Sequence, residues 1–472
     1  MAEAGVERGA EEKGGLRPGL KRRHMTMISL GGVIGAGLFV GSGAILNAAG
    51  PAAFLTYTMT GVVVVLIMRM LGEMAVAQPS VGSFSDYSRM ALGNWAGFSI
   101  GWLYWYFWVI VVGVEAVAGA GILKQFIPGV PLWVLALAVI VVLTLTNLYS
   151  VKSYGEFEFW FASIKVVAII IFIVLGTLFV FGLWPGTTTG FSGLYANGGF
   201  APHGPLAVFS GITTTIFAFV GAEVVTIAAA ESEEPERGVA KATNQVVYRV
   251  LLFYVLSIFL VAAIVNWKSS FTTGSITSPF AVALGKMGIP EAATIMNLVV
   301  LTAVLSVLNS SLYITSRMLF ALTRHNDAPG FFTNTTRNGV PIWAILAGTG
   351  MGYVSVLISY FFPKQVFNFL LNSSGVIALF VYLLIAISEL VMRRRLERES
   401  PDRLQVKMWL YPYLTIFSIL AIVAVLVSMY FTSDGRPQLL ATLASIVVII
   451  VAYFVRRAYG AEEKPPDEVV RR

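Results

Sequence analysis

Twelve apolar segments of about 20 residues limit what this chain can fold into. An α-helix of about that length crosses the hydrocarbon core of a bilayer and satisfies its own backbone N–H and C=O groups. Of the 472 residues, 57% are apolar and 12% are charged, whereas soluble domains carry about 25% charged residues. The sequence therefore predicts an all-α membrane protein with twelve transmembrane helices, at residues 26–46, 52–72, 96–123, 132–149, 158–182, 206–230, 247–266, 290–317, 341–361, 366–391, 408–431 and 438–458.

Lysine and arginine are distributed unevenly between the two sides of these helices. With a cytoplasmic N-terminus, 26 of the 32 lie in cytoplasmic tails, loops and helix ends, five lie on the other side, and Lys165 lies within a helix. Positive residues concentrate on the cytoplasmic side of membrane proteins. This predicts a multi-pass protein of the cytoplasmic (inner) membrane with both termini cytoplasmic. The net charge of +7 is then a topology signal and does not imply nucleic-acid binding.

Several kinds of chemistry are excluded or disfavoured by residue usage. The chain has no cysteine, which excludes disulfides, thiol catalysis and cysteine metal sites. Its three histidines, His24, His203 and His325, lie far apart in the sequence. No GxxxxGK[ST] phosphate-binding motif occurs, and no nucleophile–base pair or metal cluster emerges. We therefore expect no enzyme activity, no metal or other cofactor, and no ATP-driven transport within this chain.

Two of the predicted helices are interrupted by glycine. In GGVIGAGLFVGSG (31–43), Gly35 and Gly37 flank Ala36, and in TTTIFAFVGAEVV (213–225), Gly221 is followed by Glu223. Close packing of helices through small residues is an alternative explanation of the first stretch. Backbone that leaves a helix inside a membrane is tolerated only against protein or a water-filled cavity. Paired interruptions of this kind mark the binding site of transporters built from inverted repeats.

The two interrupted helices also predict how the chain is organised. Helices 1 and 6 begin on opposite sides of the membrane, which predicts two inverted five-helix repeats followed by two extra helices. The predicted domains are a disordered cytoplasmic N-terminal tail (1–20), a transport core of helices 1–10 (21–391), helices 11 and 12 (392–459) and a cytoplasmic C-terminal tail (460–472). Freed N–H groups and a positive helix end attract a carboxylate, and freed carbonyls accept hydrogen bonds from an ammonium group. Such a site suits a zwitterion, which points to an amino acid.

Three ionisable residues lie well inside predicted helices, where each costs about 3 kcal/mol or more unless it has a partner or a cavity. Lys165 is either a buried lysine that exchanges a proton or a side chain that extends back to the cytoplasmic interface. Glu223 either belongs to the binding site or holds the freed N–H groups of the sixth helix. For Glu115 we expect a structural role or a place in the outer vestibule.

Polar side chains also occur in helices 8 and 10. The stretches LNSSLYITSR (308–317) and LLNSSGVIAL (370–379) contain Asn309, Ser310 and Asn372. These residues are candidate ligands, although hydrogen bonds between helices are their commoner use in membranes.

Several stretches resemble amino-acid permeases of the amino acid–polyamine–organocation superfamily. They are GLKRRHMTMISLGGVIGAGLFVGS, LIMRMLGEMAV, GWLYWYFWV, VKSYGEFEFWFASIKV, FAFVGAEVVTIAAAES and SSLYITSRML. Within that superfamily, the stretches most similar to bacterial γ-aminobutyrate (GABA) permeases are GEFEFW, GAEVVTIAAAES, ATN (242–244) and LYITSRML. The resemblance covers residues 19–458 and implies a bacterial protein with the LeuT-type fold.

The resemblance also implies site residues. In the family, the substrate carboxylate meets backbone amides of the first interruption, here Gly35, Ala36 and Gly37. The substrate amine meets backbone carbonyls of the sixth, here Phe217, Ala218 and Val220. Lys165 matches a lysine that takes the place of a sodium ion, which implies coupling to protons.

The implied function is proton-coupled import of a small zwitterionic amino acid by alternating access, with GABA preferred. Many aromatic and basic amino-acid permeases have Gly-Thr-Gly where this chain has Gly35-Ala36-Gly37, which favours the GABA branch. Proline, aromatic and other neutral amino acids remain alternatives. A channel and an amino-acid sensor that does not transport are more remote alternatives. The partners expected are the amino acid, protons and the lipid bilayer, and the oligomeric state is left open.

Overall fold

A computed structural model of the protein describes residues 34–78, 83–149, 152–183, 190–223, 235–271, 276–336, 340–433 and 435–459. Over these ranges the chain is all-helical and contains no β-strand, which confirms the predicted class. The predicted tails (1–20 and 460–472) and the start of the first predicted helix lie outside the described residues.

The helices of the described residues range from four residues to 34. The helices are α1 (Ala36–Phe39), α2 (Gly41–Ala49), α3 (Ala53–Ala77), α4 (Ser83–Leu92), α5 (Asn94–Phe126), α6 (Leu132–Tyr149), α7 (Lys152–Val180), α8 (Gly204–Ser210), α9 (Ile212–Phe217), α10 (Pro235–Arg249), α11 (Ser257–Ile264), α12 (Trp267–Ser270), α13 (Pro279–Lys286), α14 (Ala292–Arg324), α15 (Ile342–Phe361), α16 (Val366–Glu399), α17 (Tyr413–Tyr430) and α18 (Gly435–Ala458). A π-helical segment, Val250–Leu256, joins α10 to α11.

Within the described ranges, nine helical runs are long and apolar enough to cross a membrane. The first, Ala36–Ala77, spans parts of the first two predicted helices, which a short turn at Gly50–Ala52 separates. Two shorter apolar helices, Leu132–Leu148 and Gly204–Phe217, correspond to the fourth and sixth predicted helices. The count of twelve transmembrane helices stays a prediction.

Some helices extend further than hydropathy predicts. Helix α16 continues to Glu399, eight residues past the predicted end, and α4 was not predicted at all. These segments are polar on one face, so an apolar window ends before they do. Their other face is buried, as where Leu396 packs with Ala77 and Leu404. Packing against neighbouring helices therefore stabilises helix where the bilayer does not.

Helix α5 lies at the centre of the fold. It packs against α4, α6, α14, α15 and α16. Of an apolar stretch of 18 residues within α5, 89% is buried inside the protein. The corresponding shares for α17 and α18 are 33% and 22%, as expected of helices that face lipid. A polar group in the middle of α5 is therefore surrounded by protein.

Buried charges connect several helices near the end of α14. Asp327, just after α14, accepts hydrogen bonds from Arg89 of α4 and, at 2.7 Å, from Arg456 of α18. The indole N–H of Trp102 on α5 donates to the Asp327 carbonyl at 3.1 Å. His325 lies 3.2 Å from the carboxylate of Asp86 on α4. One short segment after α14 thus holds three other helices.

We expect Asp327→Ala to destabilise the protein by about 3–5 kcal/mol, because it leaves Arg89 buried without its counter-ion. Thermal unfolding of the purified protein in detergent measures the change. The control is Asp402→Ala, because Asp402 is an exposed acidic residue. Equal unfolding temperatures for the two variants would contradict the prediction.

Candidate functional site

At the first predicted interruption, a side chain binds the backbone N–H of Ala36. Ile34 and Gly35 are not helical, and α1 begins at Ala36. The Ala36 N–H therefore has no acceptor within the helix. It donates instead to the carboxylate of Glu115, at 3.2 Å from Oε1 and 3.1 Å from Oε2. Glu115 is 1% exposed and lies in the middle of α5.

The second interruption follows α9. This helix ends at Phe217, and Gly221 has a φ of +103°, a backbone conformation that favours glycine. The Gly221 N–H donates to both carboxylate oxygens of Glu223, at 2.9 Å each. The hydroxyls of Tyr104 and Tyr382 donate to the same carboxylate, at 2.8 and 3.1 Å. Glu223 thus binds a backbone N–H of this segment, which is the contact expected if its role is structural.

In each of these two segments, a backbone carbonyl also accepts a hydrogen bond from a tyrosine hydroxyl. Tyr254 donates to the Ala218 carbonyl at 2.7 Å. Tyr57 donates to the Gly37 carbonyl at 3.3 Å. The Ala36 N–H and the Gly37 and Ala218 carbonyls are therefore satisfied by side chains of other helical segments, and the Gly221 N–H by Glu223 two residues further on, as a membrane interior requires.

Both interruptions line one small cavity. Its walls are formed by Gly37, Phe107, Trp108, Val111, Glu115, Phe217, Ala218, Val220 and Val307. The cavity volume is about 10 Å³, which is roughly the space that one water molecule needs. A ligand the size of an amino acid does not fit until these walls move apart.

Five predicted site residues meet at this cavity: Gly37, Glu115, Phe217, Ala218 and Val220. The sequence analysis did not identify the other α5 residues of the cavity wall. Two of them, Phe107 and Trp108, belong to the aromatic run WLYWYFWVIV. That run is aromatic on all faces of the helix, so it does not indicate which face lines a cavity. The signal was the spacing of Trp108, Val111 and Glu115, since residues three and four apart share one helix face.

Lys165 lies in a separate buried group. Its Nζ donates to the Ser306 hydroxyl at 2.8 Å, and that hydroxyl donates to Oε1 of Glu158 at 2.6 Å. The Nζ of Lys165 is 3.8 Å from the same oxygen, and both side chains are 0% exposed. In this structure Lys165 does not extend to the interface. Sequence reasoning missed Glu158, which lies seven residues before Lys165 and hence on the same face of α7.

The remaining predicted residues contact other helices. The Asn147 side chain on α6 donates to Oδ1 of Asn309 at 2.7 Å. Thr214 on α9 donates to Oδ1 of Asn372 at 2.6 Å. Ser310 interacts with Glu158. None of the three is among the residues that line the cavity. Within the ranges that the structure describes, no group of three or more Asp, Glu or His residues is arranged to hold a metal ion.

Comparisons with known proteins agree on one family. Residues 24–468 match the family model described as "Amino acid permease". The chain is 51% identical to the γ-aminobutyric acid permease of Bacillus subtilis, with 96% of each protein covered. It is 47% identical to the γ-aminobutyric acid permease of Escherichia coli, covering 93% of this chain and 94% of that protein.

A solved structure has the same fold. It is the crystal structure of the Eremococcus coleocola manganese transporter in complex with an aromatic bis-isothiourea substituted compound. The TM-score is 0.53 at 13% sequence identity, and the match covers 91% of this chain and 92% of that one. At this identity the likeness bears on the fold alone, and it supports the LeuT-type class predicted above.

Proposed function

The chain belongs to the amino acid permease family, and we propose that it imports GABA into a bacterial cell together with protons. Members of this family are permeases, so the chain is a membrane transporter and not an enzyme. The observation that carries the choice of GABA is the 47–51% identity to two proteins named γ-aminobutyric acid permease over nearly their whole length. In this proposal the protein lies in the cytoplasmic membrane with both termini inside the cell.

The substrate carboxylate binds the backbone amides of Gly35, Ala36 and Gly37 in this proposal. The hydrogen bond from Ala36 to Glu115 supports it, because a carboxylate already accepts from this N–H. A carboxylate near the start of a helix is also favoured by the helix dipole.

The substrate amine binds the carbonyls of Phe217, Ala218 and Val220 in the same proposal. All three residues line the cavity beside Gly37, and the Ala218 carbonyl already accepts a hydrogen bond from the Tyr254 hydroxyl. Amine and carboxylate sites on two interrupted segments suit one zwitterion that bridges them.

Transport requires the cavity to open alternately to each side. In transporters with inverted repeats, one bundle rocks against the rest around a fixed site. We assign this motion to the first ten predicted transmembrane helices, within residues 21–391. The last two predicted transmembrane helices (392–459) are an addition to that core. Lys165 supplies proton coupling in this proposal, and no ATP or metal is needed.

Uptake of labelled GABA by purified protein in liposomes tests the proposal. An inward proton gradient is imposed in sodium-free buffer, and unlabelled β-alanine, proline, phenylalanine and lysine compete. We expect accumulation that a protonophore abolishes and that GABA and β-alanine inhibit best. Accumulation of proline or an aromatic amino acid without GABA uptake would overturn the choice of substrate. Accumulation that is insensitive to the protonophore would overturn proton coupling.

A further inference from the structure

The position proposed for the substrate carboxylate is already occupied by a side chain. Both oxygens of Glu115 lie within 3.2 Å of the Ala36 N–H, and the same carboxylate forms part of the cavity wall. Glu115 reaches this point across 79 residues of sequence, from the helix at the centre of the fold.

The contact depends on the absence of a side chain at residue 35. A methyl group on Gly35 would lie 2.7 Å from Oε1 of Glu115 and 2.7 Å from Cγ2 of Val307, which is closer than real Cβ contacts allow. Glycine therefore gives the carboxylate room to approach the start of α1. The contact belongs to the buried architecture of the site and not to a mobile surface side chain.

We propose that Glu115 is an internal substitute for the substrate carboxylate, and that its displacement by substrate makes Glu115 take up a proton. This inference rests on the proposed function, because it needs a substrate carboxylate at the Ala36 amide. It assigns Glu115 a proton-binding role in coupling, in addition to its contact with the Ala36 N–H.

Electrostatics explains why displacement and protonation go together. Two carboxylates that share a small buried site do not both stay ionised, because each disfavours the charged form of the other. When the substrate carboxylate accepts from the Ala36 N–H, one proton binds a Glu115 oxygen and gives a neutral acid. When the substrate leaves, Glu115 releases that proton and accepts from Ala36 again. One proton is thus taken up for each substrate molecule bound.

The charged groups around Glu115 are few. Lys165 on α7 is the charged side chain that acts on it electrostatically. Glu158 lies against Lys165, through Ser306. Glu223 is bound by Tyr104, which lies eleven residues from Glu115 on α5, or roughly 16 Å along the helix. The eight other residues that line the cavity carry no ionisable side chain.

Binding of GABA to the purified protein at a series of pH values tests the proposal. For the wild type we expect about one proton taken up per GABA bound, measured with a pH indicator in weak buffer. The Kd then rises about tenfold per pH unit at pH values where free Glu115 is ionised. For Glu115→Gln we expect a Kd that does not change over the same range and proton uptake near zero.

The matched control is Glu389→Gln. Glu389 is also a buried helical carboxylate, 0% exposed, but it contacts Thr415 and does not line the cavity. This variant should retain the pH slope of the wild type. A Glu115→Gln variant with wild-type slope and proton uptake would overturn the proposal and leave Glu115 a structural residue.

A measurement on the wild type alone avoids dependence on how well the variant folds. Infrared difference spectra recorded on addition of isotope-labelled GABA should show the C=O stretch of a newly protonated carboxyl group. Absence of that band, together with no proton uptake, would overturn the proposal. Failure of the wild type to bind GABA contradicts the proposed substrate instead, and the same measurements then use the amino acid that the uptake assay identifies.

Discussion

Replacing Lys165 with methionine should abolish proton-driven accumulation of GABA in liposomes and leave exchange of labelled for unlabelled GABA measurable. Methionine keeps an unbranched side chain of similar length but removes the charged group that donates to Ser306. Lys165 acts electrostatically on Glu115, so its removal takes away both the cation of the buried Lys165–Ser306–Glu158 cluster and the nearby charge that acts on the proton-binding carboxylate. The proton gradient then no longer drives the transport cycle. Substrate exchange needs only the binding site and the opening motion. We therefore expect accumulation to fall to the level of empty liposomes.

The single substitution has a second effect that the experiment must separate. It leaves Glu158 buried without its counter-ion, which is destabilising by about 3–5 kcal/mol. The matched variant is Lys165→Met with Glu158→Gln, which removes both charges. We expect the double variant to recover the unfolding temperature without recovering accumulation. Proton-driven accumulation by the double variant would show that Lys165 is structural.

Replacing Gly37 with alanine should lower the apparent affinity for GABA by about ten- to hundredfold. A methyl group there would lie 2.7 Å from Cδ1 of Phe217 and 2.8 Å from Cα of Ala218. The phenyl ring can turn aside, but the Ala218 backbone forms the second interruption and cannot. Overpacking of this kind costs roughly 1–3 kcal/mol, and every 1.4 kcal/mol is a factor of ten in binding.

The control for this prediction is Gly350→Ala on α15, where an added methyl group meets nothing within 4 Å. Equilibrium binding of labelled GABA to both purified variants measures the effect. Wild-type affinity in Gly37→Ala would mean that the two interrupted segments separate before substrate binds, so that the contact seen here does not matter for affinity.

The sequence was sufficient for features that depend on nearby residues. Apolar length predicts membrane helices because the bilayer acts on each segment separately. The unusual glycines at Gly35 and Gly221 were also recognisable, because glycine in the middle of an apolar helix is unfavourable, and the helix breaks inferred from them stay a prediction.

Contacts between distant segments were not predictable in this way. Nothing near Glu115 in the sequence indicates that its carboxylate accepts from Ala36, so the sequence left open a structural role and a place in the outer vestibule. Glu158 was overlooked because it lies at the boundary of a predicted helix, where a charge needs no explanation. The packing of α7 against α14 brings Ser306 to Glu158, whereas Lys165 lies on the same face of α7.

The small volume of the cavity bears on whether the protein carries out net transport or only exchange. A carrier that must hold substrate in order to close can only swap one molecule for another. Here the walls meet around roughly one water's volume, and Glu115 leaves no unsatisfied amide at Ala36. Under the proposed function, this closed unloaded state predicts that the protein returns across its transport cycle without substrate. That return step is what distinguishes a concentrating symporter from an obligatory antiporter.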